Sequence, residues 1–200
     1  MKYLATLTMM VCMTTLVHGQ PRHRSNVPSA CTMTADQLPE IRGLRLGMSV
    51  TDLVAAFPED SSKNAIQTAI TNAKKPEAYG SANATLFRRP DVNPKFSGLE
   101  AIWLELLDEH VSSFTVFYDR GTPWKSVDQF TGRLADAFHL PAVDHWGLQY
   151  SVRFLKCKGF TMAVFMNNGN GITVKDVTSE QVVKDRQEAA KEKIRQVFKP

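Results

Sequence analysis

Cysteine is scarce, with three in 200 residues, which excludes a disulfide-dense miniature scaffold. No C-x-x-C spacing occurs, so neither a dithiol redox pair nor a zinc ribbon has its ligands. Glycine (11) and proline (10) are too sparse for collagen or a low-complexity chain. Beyond the first 19 residues no apolar run approaches the roughly 20 residues that span a bilayer as a helix. Charge of one sign is also lacking: the formal net charge is +4, without a basic stripe interleaved with aromatics, so nucleic acid is not an expected partner. Catalytic signatures are missing as well. Gly80-Ser81 and Met48-Ser49 lack the flanking glycines of a nucleophile elbow. Glu109-His110 does not open an H-E-x-x-H, and Gly169-Asn170-Gly171 leads into Ile-Thr-Val rather than a phosphate-cradling helix. No cofactor and no metal site are expected.

What is present begins with an address. Lys2 precedes an apolar stretch from Tyr3 to Val17, and Val17-His18-Gly19 places modest residues at −3 and −1. This pattern predicts a signal peptide over 1–19, cut after Gly19, and a secreted or periplasmic mature chain without a transmembrane anchor. Neither Cys12 nor Cys31 sits in a lipobox. After cleavage Cys31 and Cys157 remain, an even pair in an oxidising compartment, and a Cys31–Cys157 disulfide is expected.

The mature chain reads as an α+β protein, with antiparallel strands and helices on one sheet face. Residues 20–40, broken by Pro21, Pro28 and Pro39, form an extended arm. Residues 41–178 follow as two similar helix-plus-hairpin units, about 41–120 and 121–178, and residues 179–200 as a C-terminal helix. In the first unit Ile41–Leu46 alternates like a short strand, and Ser49 with Asp52 caps a helix from Val50 to Phe57. A second helix covers Lys63 to Ala73, with Ile66, Ile70 and Ala73 on one face, and a brief strand covers Ala84 to Arg88. The hairpin Ala101–Leu107 and Val111–Tyr118 turns through Asp108-Glu109-His110. It gathers Ile102, Leu104, Leu106, Phe114, Val116 and Tyr118 on one face.

The second unit opens with Thr122 as cap and Pro123 as first helical residue, followed by Val127, Phe130, Leu134 and Phe138 at helical spacing. Strands are expected at Gln149–Lys156, Phe160–Met166 and Ile172–Val177, with Asn167 to Gly171 as a turn. The pattern leaves open whether one sheet or two results. In the tail, Thr178 with Gln181 reads as a cap. Val183, Ala190, Ile194 and Val197 trace a narrow stripe on a helix to Phe198.

Few residues offer chemistry. His139, Asp144 and His145 surround the loop after the second unit's helix, but their spacing fits no familiar ligand pattern, and they read as surface loop residues. Trp103, Trp124 and Trp146 read as core or rim packing, with one of them able to anchor a partner. Asn83-Ala84-Thr85 is a glycosylation sequon, discounted because the rest of the chain looks bacterial.

The segment Leu44-Arg45-Leu46-Gly47-Met48-Ser49-Val50-Thr51-Asp52-Leu53 resembles the G-M-[ST]-x-x-[DE]-[VL] helix start of small bacterial envelope proteins. These are the SmpA/OmlA family of β-barrel-assembly lipoproteins and the β-lactamase-inhibitory-protein family. The resemblance implies tandem units with helices on antiparallel strands; unlike the lipoproteins, this chain has no lipobox. The Cys31-Thr32-Met33-Thr34 arm, the Leu155-Lys156-Cys157-Lys158-Gly159-Phe160 hairpin and the Val182-Val183-Lys184-Asp185-Arg186 tail resemble uncharacterised exported bacterial proteins, a likeness that brings no activity.

The leading expectation is an exported, non-enzymatic module. It binds an envelope or extracellular protein through a sheet face, an edge strand or the tail helix. A small-ligand or hydrolytic site around His110, His139 and Asp144 is the alternative. A secreted enzyme inhibitor, which requires exposed aromatics on a concave sheet, is a third.

Overall fold

The computed structural model describes residues 31–87, 96–119, 121, 124–166 and 169–197. The expected signal peptide, the start of the arm, Thr122, Pro123, Asn167, Asn168 and Phe198 lie outside them.

Helix α1 (Val50–Ala56) begins where expected. Ser49 is its cap: the Asp52 backbone N–H donates to Ser49 Oγ at 3.1 Å, and the Ser49 hydroxyl donates to the Asp52 carboxylate at 2.9 Å. Helix α2 (Asp60–Ala73) buries Ile66, Ala69 and Ile70. Strand β1 (Ser81–Phe87) follows, then β2 (Leu99–Leu107) and β3 (His110–Tyr118). After α3 (Val127–Phe138) come β4 (Gly147–Gln149), β5 (Val152–Lys156), β6 (Phe160–Phe165) and β7 (Asn170–Asp176). Helix α4 (Ser179–Val197) is last.

The described strands join one antiparallel sheet of seven, ordered β1-β2-β3-β7-β6-β5-β4. The question of one sheet or two is answered by β3 and β7, the last strand before α3 and the last before α4, which pair at its centre.

Pairing registers sort the side chains onto two faces. On one face Leu104 stands opposite Phe114, Phe114 opposite Val174, Val174 opposite Met162 and Met162 opposite Leu155. Ile102, Val116, Ile172 and Val164 make a parallel row. All of these are buried, together with Leu53 of α1 and Phe57 just after it, Ile66 and Ile70 of α2 and Phe130 and Leu134 of α3. The expected apolar hairpin face is therefore the core, covered by α1, α2 and α3. Trp124 stacks on Phe130 at 3.9 Å between ring centres, and both meet Tyr118 edge-on. Burial pushes the Tyr118 phenol above its ordinary pKa.

The expected disulfide is present, Cys31 to Cys157, with α-carbons 4.5 Å apart. It fastens the arm to the β5–β6 turn, where the Lys158 N–H also donates to the Met33 carbonyl at 3.0 Å.

Six local expectations are corrected. Ile41–Leu46 is not a strand: Arg42 and Gly43 both have positive φ, and Ile41 and Leu44 bond to each other across that turn. The arm, where described, is not wholly extended, since Ala35–Gln37 forms a 3₁₀ turn and Leu38 is buried. The β2–β3 turn has two residues, not three: Asp108 and Glu109 at φ 49° and 62°, with Leu107 paired to His110. Both positive angles match the twist-compatible type I′ turn. Gln149–Lys156 is broken by a second such turn, Tyr150-Ser151 at φ 48° and 63°, which creates β4 and β5. Asn170 and Gly171 belong to β7 rather than to a turn. Helix α3 starts at Val127, capped by Ser126, whose Oγ accepts from the Gln129 N–H at 3.2 Å.

Candidate functional site

The second sheet face has the opposite character. Its central row runs Thr85, Trp103, Thr115, Thr173, Ala163, Phe154, each opposite the next on the neighbouring strand. The next row runs Ala101, Phe117, Gly171, Phe165, Val152. Trp103 remains 54% exposed and Phe154 42%, while Phe117 and Phe165 are half-buried. Such large apolar groups in water on one sheet face mark an interaction surface more than a fold requirement.

Their arrangement is packed rather than loose. The Trp103 and Phe117 rings are tilted with centres 4.6 Å apart, and Phe117 meets Phe165 edge-on at 5.8 Å. The Phe165 ring covers Gly171, where a β-carbon would collide with it. Glycine is thus required near the start of β7 for the aromatic row to close. Thr115 and Thr173 bridge through their hydroxyls at 2.9 Å. Beside them a groove of about 310 Å³ is lined by Asn83, Thr85, Trp103, Glu105, Ser113 and Thr115.

Charge gathers at one end, where Lys175 and Lys156 both stand opposite Thr161. Lys175 lies 4.0 Å from Glu105 and 3.5 Å from Glu180 at the start of α4. There α4 runs beside the face, and Val183, Lys184 and Gln187 border a second groove of about 330 Å³ with Ser81, Asn83, Glu105 and Ser112. Among the described residues no helix covers the rest of this face.

Arg186 of α4 reaches the β2–β3 turn. Its guanidinium donates to both Asp108 carboxylate oxygens at 2.8 and 2.7 Å and to the Tyr79 carbonyl at 2.8 Å. These hydrogen bonds hold the Asp108 carboxyl below the usual aspartate range and raise Arg186 further.

The other sequence-derived candidates do not assemble. His110 sits at the start of β3, its Nδ1 2.8 Å from the Asp108 carbonyl oxygen. His139 is the exposed left-handed residue that ends α3. Asp144 and His145 lie in a 3₁₀ turn, with Oδ1 and Nδ1 2.9 Å apart. Among the described residues no three His, Cys, Asp or Glu side chains are placed to hold a metal. Nor is any helix among them long and apolar enough to cross a membrane.

Trp146 and Trp124 serve packing, as expected. Trp146 is 2% exposed and its indole N–H donates to the Pro141 carbonyl. Beneath it Arg153 donates to Asp128 at 2.7 Å and to the Trp146 carbonyl at 3.2 Å, and the Asp128 carboxyl is lowered by that bond to Arg153. Trp103 is the exception that sequence reading singled out only as one of three. Asn83 of the sequon is exposed on β1, at the edge of the open face. Phe117, Phe154 and Phe165 were missed as surface groups, although their odd-even position relative to Phe114, Leu155 and Val164 carries the signal.

Compared with known protein families, characterised proteins and solved structures, this chain matches none.

Proposed function

We propose that the chain is an exported, non-enzymatic module that binds an envelope or extracellular protein on the open sheet face. The single observation that carries this reading is the aromatic cluster of Trp103, Phe117 and Phe165, joined by ring contacts on the open face, with Trp103 exposed, the two phenylalanines half-buried, and Phe154 exposed further along the same face. Threonine hydroxyls flank it, and at one end Lys175 is paired with Glu105 and Glu180. The partner that fits is an apolar patch, rich in aromatic or aliphatic side chains and rimmed by hydrogen-bonding groups; a polyanion does not fit. The signal-like N-terminus and the Cys31–Cys157 bridge support an oxidising compartment. The secreted-inhibitor reading shares this surface and differs only in the partner's identity.

The double variant Trp103→Ala/Phe154→Ala tests this reading. Central aromatic anchors cost about 2 kcal/mol or more when truncated, so capture of the partner from envelope or culture fractions is expected to fall at least tenfold. His139→Ala, on the helix layer, is expected to capture the same species as the wild type. Equal capture by the double variant overturns the proposal.

A further inference from the structure

Helix α4 is attached unlike the other helices. Among its described residues only Ser179 is buried; Val182, Val183, Arg186, Gln187 and Ala190 are half-buried, and Ile194 is 60% exposed. Its attachment is polar: Glu180 to Lys175, and Arg186 to Asp108 and Tyr79. An isolated helix of this length is marginal in water, so its order depends on that attachment.

The receptor for Arg186 is built from strained backbone. Tyr79 is left-handed at φ 54°, Gly80 follows at φ 82°, and Asp108 occupies the type I′ turn. A β-carbon on Gly80 would lie 2.5 Å from the Asp108 carboxylate and 2.6 Å from the Arg186 guanidinium. Gly80 therefore leaves the space that the guanidinium fills, and three non-helical positions converge on one side chain, Tyr79 from 107 and Asp108 from 78 residues away in sequence.

We propose that α4 is a releasable strap. The Tyr79–Gly80–Asp108 seat holds it, and it borders the Asn83–Glu105 end of the open face until Arg186 leaves. Leaving breaks no apolar core, because none of the described side chains of α4 belongs to it. It frees Val183 and widens the groove that Ser81, Asn83, Glu105 and Ser112 share with the helix. The consequence for partner access rests on the docking face proposed above; the release itself is read without a partner.

Hydrogen–deuterium exchange on the full mature chain is the test, with Arg186→Ala beside the wild type. The α4 amides of the variant are expected to exchange at least tenfold faster, while β2, β3, β6 and β7 keep wild-type protection. Raising salt to about 1 M, where charges are screened beyond roughly 3 Å, is expected to move wild-type α4 in the same direction. Unchanged α4 protection in the variant overturns the strap. So does loss of protection in the strands in step with α4, which would make the helix part of the core. Trp103→Ala/Phe154→Ala capture is a separate readout, so failure of the strap and failure of the docking face are told apart.

Discussion

Serine at both Cys31 and Cys157 is expected to lower the unfolding free energy by about 3–5 kcal/mol. The bridge joins residues 126 apart in sequence. In the chain-entropy model a closed loop of that size constrains the unfolded chain by about 5 kcal/mol at 25 °C, and measured values usually fall below it. The folded side loses less. The arm keeps Leu38 in the core and the Met33 carbonyl on Lys158, so the helix-on-sheet core is expected to persist. For a domain of this size the loss corresponds to a midpoint drop of about 10 °C. Denaturant unfolding with and without reductant checks it. Reduced wild type is expected to match the variant, and reductant to leave the variant unchanged. Equal midpoints for oxidised wild type and variant would contradict the account.

Phe114→Ala is expected to cost about 3–5 kcal/mol, because a fully buried ring leaves a cavity between two faces that cannot both collapse. Phe114 stands on central β3, opposite Leu104 on one side and Val174 on the other. Phe154→Ala removes the same side chain from the opposite face, where 42% of it meets water. Its expected cost is under about 1 kcal/mol. Guanidinium unfolding of both variants measures the contrast. Similar losses would mean that the two faces are equally buried, and the distinction between core and docking surface would fall.

The sequence carried the periodic features well, because local geometry decides them. The helical spacing of Phe130 and Leu134, the alternation of Ile102, Leu104 and Leu106, and the Ser49–Asp52 cap each require only neighbours within a turn or two. The Tyr150-Ser151 turn escaped, and the Asp108-Glu109 turn was placed but read one residue too long, because neither carries an Asn-Gly or Asp-Gly signature. At Asp108 a contact from Arg186, distant in sequence, holds a conformation that local preference does not reveal. The order of the sheet escaped for a related reason. Nothing in β3 announces that its partner is β7, so the meeting of Thr115 with Thr173 and of Phe117 with Gly171 emerges only in three dimensions. The aromatic row was half legible: alternation places Trp103 opposite in facing to Leu104, but strand pairing is what brings it beside Phe117. The His110, His139 and Asp144 grouping does not appear because sequence proximity of His139 and Asp144 says nothing about convergence, and His110 opens β3 while His139 ends α3.

A photo-crosslinking amino acid placed at Trp103, and separately at the exposed Arg133 of α3, reads out which side of the sheet a partner meets. The account predicts one discrete adduct from position 103, formed in envelope or culture fractions, and none from position 133. An adduct from position 133 alone, or equal adducts from both, would contradict it.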